Sequence, residues 1–192
     1  MLGLKLATDP RWVNIVAENI EEILTDHAYC EQKAASNCIS LIQKYPDKDA
    51  IVEDLSPLVT EEWGHFRMVL AELKKRNLKL GRQRKNEYVN RLRQLVRKGN
   101  YEEQFLDELL VGAMIEARSC ERFRVLSEKL EDSSLRKFYR TFMESEAGHY
   151  TLFMELAKKY LSAEKVDERW QEFLSAEMEI MNSLELKGER IH

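Results

Sequence analysis

Apolar residues recur at three- and four-residue intervals along almost the whole chain, and no stretch alternates convincingly as a strand would. The pattern predicts a short opening helix after Pro10, then a long one over about residues 19–44 that Tyr45-Pro46 ends. A third, with Asp47 or Asp49 as its cap, runs to about Arg76 and carries Pro57 as a kink or break. Asn77–Arg84 reads as a linker, and Asn86–Arg97 as a shorter basic helix stopped by Gly99-Asn100. Long helices follow over about Tyr101–Leu130, from a Ser133 or Ser134 cap to about Tyr160, and after Ser162.

Four of these helices form two similar pairs. Glu31 and Glu116 lie 85 positions apart, while Glu62 and Glu146, like His65 and His149, lie 84 apart. In both Glu62-x-x-His65 and Glu146-x-x-His149 a carboxylate and an imidazole share one helix face, because positions three apart are about 60° apart around the axis. With one further Glu from each partner helix, four carboxylates and two imidazoles form a donor set suited to two iron or manganese ions. One isolated Glu-x-x-His is weak; Glu189-x-x-His192 at the tail is read as a chance match. Apolar neighbours one or two turns away, among them Leu24, Ala35, Leu58, Val69, Ala113, Phe123, Phe142 and Phe153, make burial of the acids costly unless a metal compensates them. Gly64 and Gly148 each precede a candidate ligand His, which reflects either tight packing there or neutral drift. His27, one turn before Glu31, is either part of an outer hydrogen-bond network or a packed core histidine; Glu61 is either an outer acid or solvent-exposed.

The fold class expected is all-α: a ferritin-like four-helix bundle with additional short helices, as a single domain over residues 1–192. The low Gly and Pro counts, 7 and 3, agree with long helices. Three cysteines without a CxxC pair argue against a disulfide framework, a zinc ribbon or an attached rubredoxin-type site. No run of apolar residues is long enough to span a bilayer and none reads as a signal peptide, so the expected location is the cytoplasm.

Charge adds a second theme. Net charge is −4, yet Lys74–Lys98 holds eleven basic residues against one acid, Glu87. Such a block suits a polyanion. Its candidate contacts are Arg82, Arg84, Lys85, Arg91, Arg93, Arg97 and Lys98, with Tyr88 as a stacking partner.

The stretch Val111-Gly-Ala-Met-Ile-Glu-Ala-Arg-Ser-Cys-Glu-Arg-Phe123 resembles the signature of the tRNA 2-methylthio-N6-isopentenyladenosine hydroxylases, as does Asp26-His-Ala-Tyr-Cys-Glu-Gln-Lys-Ala-Ala-Ser36. The similarity continues through Ser56-Pro57, Glu61-Glu62, Ser145-Glu146 and Ala176–Glu179; Gly148 departs from it, where relatives place Arg. The resemblance implies a non-haem di-iron monooxygenase that uses O2 to hydroxylate the isopentenyl group of the modified adenosine beside the tRNA anticodon. It further implies that Glu31, Glu62, His65, Glu116, Glu146 and His149 hold the irons. Electrons would come from an external electron-transfer protein or reductase, since no flavin or iron–sulfur motif is present. A ferritin-like ferroxidase and a peroxide-handling di-metal protein are the alternatives.

Overall fold

A computed structural model describes residues 2–184 and 191. The tail motif Glu189-x-x-His192 therefore lies outside the described residues. Among the described residues there are seven helices and no strand: α1 (Trp12–Glu18), α2 (Ile20–Lys44), α3 (Asp49–Lys75), α4 (Glu87–Arg93), α5 (Tyr101–Lys129), α6 (Ser133–Tyr160) and α7 (Ala163–Ser183). They group into two compact units, one built on Asn14–Lys85 together with Ile191, the other on residues 2–13 and 86–184.

In the first unit α2 and α3 form a helical hairpin. Tyr45 closes α2 by donating its N–H to the Leu41 carbonyl, and Pro46 prevents continuation. The start of α3 differs from expectation: Lys48 is the N-cap residue and makes no side-chain cap bond, while Asp49 sits in the first turn. There its charge meets the positive end of the helix dipole. Pro57 does not break α3, which runs unbroken from Asp49 to Lys75. Beside it the Ser56 hydroxyl donates to the Val52 carbonyl, while the carbonyl that Pro57 leaves without its helical donor is that of Glu53. Asn77, at φ +58°, ends the helix, with its own N–H donating to Lys74 and that of Leu78 to Leu73, a Schellman closure. The linker that follows is pinned to α2. The Lys79 and Gly81 amides donate to Glu21 and Thr25, Tyr29 donates to the Gly81 carbonyl, and Arg84 pairs with Glu22.

The second unit is organised around α5, the most buried of its helices. Side chains of Asn86, Asn100, Asp132 and Ser162 cap α4 to α7; at α6 Asp132 takes the role expected of Ser133 or Ser134. Helix α4 ends at Arg93, short of the expected Arg97. Three i→i−3 bonds tighten the chain over residues 94–96, and the Arg97 backbone N–H turns instead to Asp107. Gly112 on α5 marks a close approach, since a Cβ there would meet the Phe153 ring of α6 at 2.9 Å.

Asp107 ties three segments together. Its carboxylate is fully buried and accepts from the Arg97 backbone, from the Arg97 guanidinium and from Arg169 at 2.9–3.0 Å. Burial pushes the Asp107 carboxyl up, but the hydrogen bonds from Arg169 and Arg97 outweigh it and hold it below the usual aspartate value. A carboxyl lowered by folding stabilises the fold fully above its unfolded value and loses that contribution as pH falls. Acid unfolding of the wild type is therefore expected to steepen below about pH 4. Asp107→Asn should be less stable at neutral pH and less sensitive to acid; parallel slopes in a pH series of thermal melts would rule this out.

Candidate metal centre

Each unit carries one buried triad of metal-ligand type. In the first, α2 supplies Glu31, and α3 supplies Glu62 and His65 from one face of consecutive turns. One ligand atom from each lies within 4.8 Å of the others. The Nδ1 of His65 is 3.5 Å from both Glu31 Oε2 and Glu62 Oε2. In the second, α5 supplies Glu116, and α6 supplies Glu146 and His149, again within 4.8 Å of one another. Here His149 Nδ1 is 3.6 Å from Glu146 Oε2. All six side chains are buried. The separations of 3.5–3.6 Å are long for direct hydrogen bonds and suit donors that share an ion.

The outer contacts repeat as well. His65 Nε2 is 3.8 Å from Glu61 Oε1, and His149 Nε2 is 3.3 Å from Ser145 Oγ. Each partner stands four residues before its histidine, so the imidazole's far nitrogen faces a polar side chain, at hydrogen-bond distance for His149 but not for His65, while Nδ1 faces the carboxylates. Such contacts fix ring orientation. Sequence reading overlooked Ser145, although it is Glu61 displaced by the same 84 positions. His27 is fully buried, as a core histidine is, and its Nε2 lies 2.7 Å from Glu31 Oε1.

Two expectations are corrected. Neither Gly64 nor Gly148 marks tight packing, because no heavy atom lies within 4 Å of where a Cβ would sit at either position. Tyr88 is no stacking partner for a base: it is buried, with its hydroxyl donating to Glu177. Its phenol is pushed up by burial and by the Glu177 carboxylate, which keeps it a donor.

Does the donor set fit iron? Hard carboxylate oxygens mixed with imidazole nitrogen are what divalent iron or manganese takes. The Glu146 Oε1 atom is fully buried with no hydrogen-bond partner among the described residues. A buried carboxylate oxygen in that state carries a desolvation cost that a cation offsets. The cysteines do not compete for the role. Burial, then Glu62, pushes the Cys38 thiol up to about 12; burial, then Glu146, pushes Cys120 up to about 11. Both stay protonated, hence poor ligands.

The candidate basic residues meet different fates. Arg82, Arg84 and Lys85 belong to the first unit and Arg91, Arg93, Arg97 and Lys98 to the second. Arg82, Lys85, Arg93 and Lys98 are exposed, Arg84 pairs with Glu22, and Arg91 donates to Ser183. Arg97 is committed to Asp107 and Glu103.

Helical hairpins carrying paired Glu-x-x-His motifs define the class, and its fold is all-helical and ferritin-like. A solved structure described as "Protein 43 with aldehyde deformylating oxygenase activity from Synechococcus" superposes with a TM-score of 0.93 and 34% identity, covering 98% of this chain and 94% of that one. The sequence model of the family described as tRNA-(MS[2]IO[6]A)-hydroxylase (MiaE) matches residues 2–192, and the chain belongs to that family. Two relatives bear the name tRNA 2-(methylsulfanyl)-N(6)-isopentenyladenosine(37) hydroxylase. The Pseudomonas putida protein is 38% identical over 176 residues, 92% of this chain and 85% of its own length. The Salmonella typhimurium protein is 30% identical over 214 residues, 86% of this chain and 78% of its own length.

Proposed function

We propose that the chain is a di-iron tRNA monooxygenase that hydroxylates the isopentenyl group of 2-methylthio-N6-isopentenyladenosine next to the anticodon. Membership of the hydroxylase family supports the substrate, and the names of both relatives point the same way. The observation that carries the chemistry is the pair of buried Glu, Glu, His triads in matching register. On this reading Glu31, Glu62, His65, Glu116, Glu146 and His149 together hold two irons, and the two units act as one ferritin-like domain. When bound, the di-iron centre supplies O2 activation and the oxidising power for a C–H bond.

The protein's own part is positional. His27 orients Glu31, and Ser145 and Glu61 orient the two ligand imidazoles. Apolar side chains one or two turns from the carboxylates, including Leu24, Leu58, Val69, Phe142 and Phe153, exclude water and suit a prenyl group. One O2, two electrons and two protons give the alcohol and one water. The electrons come from an external electron-transfer protein or reductase. Exposed basic side chains, Arg82, Lys85, Arg93 and Lys98 among them, provide salt-dependent attraction for RNA. No helix among the described residues is long and apolar enough to cross a membrane, and a tRNA substrate supports a cytoplasmic location.

The test is mass spectrometry of tRNA nucleosides after incubation with the iron-loaded protein, O2 and a reductant. One added oxygen on the prenylated adenosine is expected. Absence of that product, with iron oxidised or peroxide consumed instead, would favour a ferroxidase or peroxide-handling protein. Release of formate from an aldehyde would favour the aldehyde deformylating activity described for the Synechococcus protein.

A further inference from the structure

One face of α3 carries a surface that neither triad uses. Trp63 directly follows the candidate ligand Glu62 and is 47% exposed, whereas the other two tryptophans, Trp12 and Trp170, are buried. Its ring lies against Phe66, with centroids 4.9 Å apart and planes at 34°. Single exposed apolar residues need no explanation, but here an aromatic pair is continued by charge. At about 100° per residue, Trp63, Arg67 and Lys74 fall within about 40° of one another around the helix. All three are exposed. At about 1.5 Å per residue, Arg67 follows Trp63 by roughly 6 Å along the axis and Lys74 by roughly 17 Å. The acid Glu72 falls on the opposite side of the helix from Trp63, where it is buried and paired with Lys75 and Arg76.

We infer that Trp63, backed by Phe66, is a stacking platform for an unpaired base of the RNA, and that Arg67 and Lys74 contact phosphates of the same strand. The inference rests on the tRNA reading above and names a contact face outside the basic segment at residues 82–98. Every base offers a π-face, so an exposed aromatic ring followed by cations along one line matches single-stranded RNA. Trp63 directly follows Glu62 but points about 100° away from it around α3, so a base held there flanks the modified adenosine rather than being it.

The test titrates an anticodon stem-loop oligonucleotide carrying the prenylated adenosine into the iron-loaded protein. Quenching of tryptophan fluorescence is expected, since Trp63 is the tryptophan that solvent reaches. Trp63→Ala should weaken binding by roughly 5- to 100-fold, Trp63→Phe by much less, and Arg67→Glu with Lys74→Glu should abolish it at moderate salt, all with unchanged iron content and helicity. If the wild type binds and modifies the RNA while Trp63→Ala binds it equally well, the platform is refuted and the tRNA reading stands. If the wild type neither binds the stem-loop nor adds oxygen to it, the tRNA reading itself fails. If Trp63→Ala binds RNA normally but needs more reductase protein for the same turnover, the face belongs to the electron donor and the inference is overturned.

Discussion

Glu116→Ala is expected to lose most of its iron and all measurable hydroxylation while remaining helical. Glu116 is the sole contribution of α5 to its triad and sits buried within 4.8 Å of Glu146 and His149 ligand atoms. Alanine removes one carboxylate and leaves the other two donors in place, so charge compensation falls where a dinuclear site needs it most. The metal-free protein should respond in the opposite sense. Two buried acids in one triad repel and lack solvent, so deleting one is expected to leave the apo variant at least as heat-resistant as apo wild type. Metal analysis and paired melts with and without iron read both effects. Two irons retained per chain in Glu116→Ala would remove Glu116 from the ligand set, and a large loss of stability in the metal-free variant would show a structural rather than a ligand role.

The candidate ligands were legible because their geometry is local. Glu-x-x-His fixes a shared face within one turn, and the 84–85 offset repeats it, so six residues stand out without knowledge of the tertiary fold. Helical register also put His27 on the Glu31 face, but it could not say whether the two atoms would meet at 2.7 Å. The repeat held more than was taken from it. Ser145 falls at the position of Glu61, and Gly112 at that of His27. Where one hairpin places an imidazole against its lone ligand Glu, the other packs the Phe153 ring. Two similar triads therefore have unlike surroundings, an asymmetry that suits a centre with one side for substrate. The basic block misled in part, because counting charges cannot see that Arg97 is spent on a buried aspartate ten residues away or that Arg84 answers Glu22.

Least legible was the buried network behind α5, since its partners are far apart in sequence, and it underlies the second large effect. Arg118→Met is expected to destabilise the protein by about 3–5 kcal/mol, because removing one member of a buried ion pair leaves the other uncompensated. Arg118 is fully buried. It donates to Glu177 Oε1 at 2.8 Å and to the Leu6 carbonyl at 3.0 Å, and it pairs with Glu121 at 3.4 Å. Glu121 in turn accepts from the Thr8 amide and hydroxyl, so one guanidinium joins α5, α7 and the N-terminal segment. Burial pushes the Glu177 carboxyl up while Arg118 pulls it down. Without Arg118 the group must either stay charged in an apolar surround or take up a proton. For a chain of this size the cost corresponds to a fall in melting temperature of roughly 6–20 °C. An all-apolar triple variant, Arg118→Met with Glu177→Met and Tyr88→Phe, should recover much of the loss, since it leaves no orphaned charge on Glu177 and no phenol lacking its acceptor. A single variant that melts with the wild type would mean that Glu177 is neutral and solvated by other means. A triple variant no better than the single one would place the stabilisation in the Leu6 and Glu121 contacts, and hence in the docking of the N-terminal segment.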